Sequence, residues 1–143
     1  MPARLRAKAR VNPFLCAAAL GAIKGFGVRA AVPSGPRPRL VVKHLLAPVV
    51  FGPAAEEVIY RVLPNILSPR ALPLAATPFA FAADHVLPEM RAGLAPKAAL
   101  MRFADVFLGG LLYELSYRQY GYFGAVAAHG LHNLCVDLPR HFR

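Results

Sequence analysis

Tryptophan is absent from this chain, cysteine occurs twice, and only seven residues are acidic. Two cysteines, Cys16 and Cys135, each in an apolar stretch, cannot make a disulfide framework, which excludes a small crosslinked secreted domain. They are expected to be small packing side chains. Charge is scarce as well: 17% of the 143 residues are charged, while 57% are hydrophobic. A soluble domain has roughly 45–50% apolar residues, so few charges remain here to coat a water-soluble surface. No internal repeat or low-complexity tract is visible, and the length suffices for one domain.

What charge there is runs basic, with 17 Lys and Arg and a formal net charge of +10. Such an excess can mark a nucleic-acid binder. Here the basic residues lie between apolar blocks rather than along one polar face, so they read as the flanks of membrane segments and no nucleic-acid partner is expected. Five apolar blocks cover about 11–28, 41–63, 71–87, 100–116 and 121–138. A spanning helix needs about 17–25 residues, which the last four provide. The first is short and broken by Lys24; it spans, re-enters or lies at the interface. Its basic and apolar start resembles a signal peptide, but no clean small-x-small cleavage site follows, and an uncleaved segment is expected. The expected fold is all-α, a polytopic transmembrane helix bundle with four firm spans. Residues 1–40 form a basic N-terminal segment ending in a Pro-rich linker, and 41–143 form the main domain. Arg29, Arg37, Arg39 and Lys43 precede the second block, and Arg91, Lys97 and Arg102 follow the third. The alternation of rich and poor loops places residues 29–43 in the cytoplasm.

Ionisable and amide side chains interrupt these blocks at three places. EEVIYR at 56–61 holds Glu56, Glu57 and Arg61; FAADH at 81–85 holds Phe81 and His85; HGLHN at 129–133 holds His129, His132 and Asn133. Such groups in lipid are costly, and they are usually functional or paired. Adjacent Glu56 and Glu57 point about 100° apart on a helix. Only Glu57 has Arg61 one turn later, so an ion pair there leaves Glu56 free to act as general base on water. Phe81 and His85 share a face and can form the wall and the interior of a pocket. His129 and Asn133 also share a face and can donate hydrogen bonds to a developing oxyanion, or hold a water or a metal. His132 turns partly away and is expected to pack or support. Pro48 and Pro53, ahead of the glutamates, free backbone carbonyls that need partners or water.

The ordered set EExxxR, FxxxH, a Gly-rich helix ending in Tyr113, and HxxxN resembles the CPBP intramembrane protease family, which takes in CAAX prenyl endopeptidases and bacterial Abi proteins. The likeness runs from about Val42 to Asp137 and is closest over GLLYELSYRQYGYFGAVAAHGLHN. It implies an integral, multi-pass protein of the bacterial inner membrane that cleaves a peptide bond near the C-terminal tail of a membrane-anchored or lipidated protein in the lipid bilayer. Carried over by position, Glu56 and His85 activate the water. His129 and Asn133 bind the oxyanion or position the water, and Glu57, Arg61 and Phe81 support them. Zinc is the alternative activator, with Glu56, His85 and His129 as ligands, although no HExxH helix is present. Little sequence precedes the first motif, which suits a compact enzyme that trims membrane-anchoring tags. A non-catalytic binding or immunity protein of the same fold, and a small transporter subunit, are the competing readings.

Overall fold

The structure, a computed structural model, describes residues 12–31, 46–68 and 72–138. The Pro-rich linker, and with it most of the expected cytoplasmic segment 29–43, lies outside the described residues. Those described are helical, with no strand among them. The first helix, α1, is Pro13–Ala31. It starts where the Asn12 side chain accepts the Phe14 and Leu15 amides at 3.0 and 3.4 Å, with Pro13 in the first turn, where its missing N–H is harmless. Lys24 does not interrupt it.

Residues 47–67 form a second helical run, α2, whose winding changes twice. A π turn, Ala47–Phe51, leads into the α-helical Gly52–Glu57; a second π turn, Val58–Val62, leads into Leu63–Leu67. Each π turn ends two residues before a proline. Pro53 and Pro64 have no N–H to donate to the preceding turn. The chain widens instead, and Gly52 N–H reaches Ala47 O while Leu63 N–H reaches Val58 O, five residues back. Glu56 and Glu57 thus sit between two π turns, a winding frequent at functional sites.

Helix α3 is Ala76–Arg91 and runs through the exposed Pro88. The last helical stretch, Pro96–Asp137, is broken at Gly121, with φ 71° and ψ −165°, a conformation that only glycine takes readily. It divides into α4 (96–120) and α5 (122–137). In an unbroken helix Tyr113 and His129 would stand about 24 Å apart. Their rings stack at 4.2 Å, so α5 folds back on α4 at this single residue.

Helices α1 and α3 and the α2 run pack against this hairpin. Ala17, Phe81, Ala82, Val106, Tyr113 and Ala128 form the apolar core. Small residues set the closest approaches. A β-carbon on Gly130 would fall 2.2 Å from Val49 O on α2. Gly130→Ala should therefore destabilise the protein by about 1–3 kcal/mol, as overpacking does, read as a lower unfolding temperature in detergent.

Polar and charged side chains are buried beside this core, while several large apolar ones face outward. Glu57, Arg61, Glu114, Ser116 and His132 are buried, while Leu67 and Phe123 are each 82% exposed, Ile23 71% and Leu100 70%. Among the described residues no helix is long and apolar enough to cross a membrane. The α2 run is divided by its π turns and carries Glu56, Glu57 and Arg61 along its length.

Candidate active site

Adjacent positions on α2 send the two glutamates to different places. Glu57 is fully buried, and its Oε1 accepts the Nδ1–H of His129 at 2.9 Å. A carboxylate only accepts, so that bond fixes the imidazole tautomer and turns Nε2 the other way. His129 Nε2 then faces Glu56 Oε2 at 3.7 Å. His85 is set by the same logic. Its Nδ1 lies 2.8 Å from Phe81 O, a carbonyl that can only accept, and its Nε2 stands 3.9 Å from the same Glu56 oxygen. Glu56, whose side chain is about one-third exposed at 34%, thus meets two Nε2 atoms, acceptors in the neutral imidazoles, across gaps too long for direct hydrogen bonds. Such gaps suit a bridging water.

These three groups and Asn133 border a cavity of about 150 Å³, against roughly 30 Å³ for one water. Phe81 walls it. The Phe81 ring lies 4.3 Å from that of His85 and meets His129 edge-on at 5.7 Å. Asn133 has a structural task that the sequence did not reveal. Pro48 O has lost both donors within its helix: Gly52 N–H goes to Ala47 O, and Pro53, next in π register, has no N–H. Asn133 Nδ2 donates to Pro48 O at 2.7 Å and fills that place. One amide hydrogen is spent on the brace, and the other is left for the cavity. The Tyr122 hydroxyl donates to Ala54 O at 3.0 Å, a carbonyl that also accepts the Val58 N–H, and so adds a second tie between α5 and α2. Asp84 is exposed and accepts the Tyr60 hydroxyl at 2.5 Å, tying α3 to α2 beside the site.

Beneath the cavity lies a buried charge network. Arg61 Nε faces Glu57 Oε2 at 3.3 Å, an ion pair without hydrogen-bond geometry, and Glu114 Oε2 at 3.7 Å. Arg61 Nη2 donates to Gly110 O at 2.8 Å. Its guanidinium carbon lies 5.2 Å from the Phe81 ring centroid and 5.9 Å from that of Tyr113, which offsets the hydrogen bonds its Nη1 lacks. Thr77 Oγ1 and Arg118 Nε donate to Glu114 at 2.6 and 2.7 Å. Two carboxylates and two guanidiniums alternate, three of them buried and Arg118 at the surface with its side chain 44% exposed, so the charges balance in number. Glu114 and Arg118 are residues that the sequence reading missed. The signal was present: an acid within an apolar stretch with a base four residues later, the spacing of Glu57 and Arg61. Thr77 carried no signal.

Among the described residues no three His, Cys, Asp or Glu side chains are grouped to hold a metal ion. In the set expected to serve zinc, Glu56 Oε2 stands 3.9 Å from the His85 nitrogen and 3.7 Å from that of His129, and Glu57 occupies the remaining nitrogen of His129.

The family model for Type II CAAX prenyl endopeptidase Rce1-like matches residues 38–135. That span contains every site residue named so far and excludes α1. No curated protein and no solved structure matches the chain.

Proposed function

Since the chain belongs to the Rce1-like family of proteases, we propose that it is an intramembrane endopeptidase in which Glu56 activates water for attack on a peptide bond. The observation that carries this is the meeting of Glu56 Oε2 with the Nε2 atoms of His85 and His129 at the cavity wall. A water held there gives one hydrogen to Glu56 and the other to a ring nitrogen, leaving a lone pair for the scissile carbonyl. As the oxygen–carbon bond forms, its proton passes to Glu56. The carbonyl oxygen becomes an oxyanion. Asn133 has an amide hydrogen to offer it. His129, its Nδ1–H held by Glu57, keeps Nε2 as an acceptor for the water's second hydrogen. Collapse breaks the carbon–nitrogen bond, and Glu56 returns its proton to the leaving amine.

The site lies among helices whose outer faces are apolar, with Leu67, Phe123, Ile23 and Leu100 outward and Glu57 and Arg61 inward. In water such a surface promotes association; in lipid it is solvated. This supports a multi-pass arrangement in the plasma membrane, with the apolar blocks as spans and residues 29–43 on the cytoplasmic side. A site at that depth meets substrates that diffuse laterally, so the substrate is the tail of a membrane-anchored or prenylated protein.

The test is cleavage by the purified protein in nanodiscs, on peptides carrying a prenylated cysteine near the C-terminus, with products identified by mass. Wild type should cleave and Glu56→Gln should not. A chelator should leave the rate unchanged; loss restored by zinc would move the chemistry to a metal. The protein should also stay with the bilayer through alkaline extraction, and release into the supernatant would overturn the membrane assignment.

A further inference from the structure

Helix α1 lies wholly before the span that the family model matches, yet it reaches the cavity. Lys24 borders it together with His129 and His132. The Lys24 ammonium donates to His132 Nε2 at 3.2 Å and pairs with Asp105 on α4 at 2.8 Å. This explains how a lysine sits in an apolar helix without breaking it. His132 in turn meets the Tyr113 ring edge-on, 5.9 Å between centroids and 82° between planes. Tyr113 lies flat against His129, at 4.2 Å and 12°. Tyr113 and His132 are both 3% exposed, so neither ring has room to turn freely. Gly21 supplies an independent contact: a β-carbon there would fall 2.4 Å from His132 O and 2.9 Å from Cys135 Cβ. The backbone of α1 therefore rests directly on the turn of α5 that carries the site histidines.

We infer that α1 is an integral part of the active site and that Lys24 is a positioning residue, fixing the plane of His129 through His132 and Tyr113. Glu57 fixes the His129 tautomer, while the ring plane is set by what packs against it, Phe81 edge-on and Tyr113 face to face. Of the two, Tyr113 covers the flat face of the ring, and His132 with Lys24 backs Tyr113. The inference rests on the protease reading for its kinetic consequence but not for its geometry, and the experiment separates the two.

Lys24→Met should lower kcat by about 10–100-fold, the usual cost of losing a supporting contact, with KM and unfolding temperature little changed. Lys24→Arg keeps the charge and donors and should recover most of the rate. Because Lys24 acts through His132, His132→Leu should lower kcat similarly, and Lys24→Met on that background should add little. A second readout needs no turnover. In spectra of the protein with ¹⁵N-labelled histidine, the His129 ring signals, assigned by their loss in His129→Gln, should move in Lys24→Met and return in Lys24→Arg. If wild type and Glu56→Gln are equally inactive, the protease reading fails while the His129 signals still decide the positioning role. Wild-type kcat in Lys24→Met would overturn the inference, as would an unmoved His129 signal or fully multiplicative losses in the double variant.

Discussion

Glu56→Gln should accumulate and fold like wild type while its turnover falls by roughly 10²–10⁴-fold, the usual contribution of a general base. The substitution keeps the shape of the side chain and removes its basicity. Little stability is at stake, because the Glu56 side chain is one-third exposed and stands 3.7 and 3.9 Å from its nearest ring nitrogens. Substitutions free of buried contacts usually change stability by no more than about 0.5 kcal/mol. The loss should fall on kcat rather than KM, since the base acts in the transition state and the tail is bound elsewhere. Glu56→Asp should be intermediate: it restores the carboxylate but draws it back by one methylene from both histidines. Single-turnover cleavage of a prenylated peptide, beside thermal unfolding of each variant, measures both quantities. A Glu56→Gln protein that cleaves at the wild-type rate would remove Glu56 from the chemistry.

How much of this site could be read in advance depends on the range of each contact. The pairing of Glu57 with Arg61, and the shared face of His129 and Asn133, follow from helical spacing and need no tertiary information. So does the divergence of Glu56 from Glu57, and the all-helical class follows from the long apolar blocks. The rest depends on contacts between helices. Asn133 braces Pro48 O because a proline on another helix lacks an N–H, and that joint requirement appears in neither segment alone. Lys24, read as a break in an apolar run, is held by Asp105 and His132, 81 and 108 positions away. Gly121 looks like any glycine of a Gly-rich stretch until its positive φ reverses the chain. The winding of the second block was hidden for a related reason: its prolines turn residues 47–67 into alternating π and α segments, which hydropathy does not register.

Glu57→Gln should fail in a different way from Glu56→Gln, in the amount of folded protein more than in the rate per molecule. Glu57 and Arg61 are both fully buried, and Arg61 lies between Glu57 and Glu114. Removing one partner of a buried pair leaves an uncompensated charge and costs about 3–5 kcal/mol, a large share of the roughly 5–15 kcal/mol that holds a domain together. The carboxamide oxygen that replaces the carboxylate at position 57 can still accept the His129 Nδ1–H. The imidazole then keeps its tautomer, and surviving molecules should retain more activity than Glu56→Gln. Arg61→Gln should be at least as damaging, because it leaves the carboxylates of Glu57 and Glu114 facing each other with Arg118 on the far side of Glu114. Changing both Glu57 and Arg61 to glutamine removes one charge of each sign. It should cost less than the sum of the single changes, since the two residues are in direct contact. Denaturation midpoints and membrane accumulation of the three variants measure this coupling. Additive losses would mean that the pair is not the support assigned to it. A stable but inactive Glu57→Gln, beside a Glu56→Gln protein that still cleaves, would reverse the roles of the two glutamates.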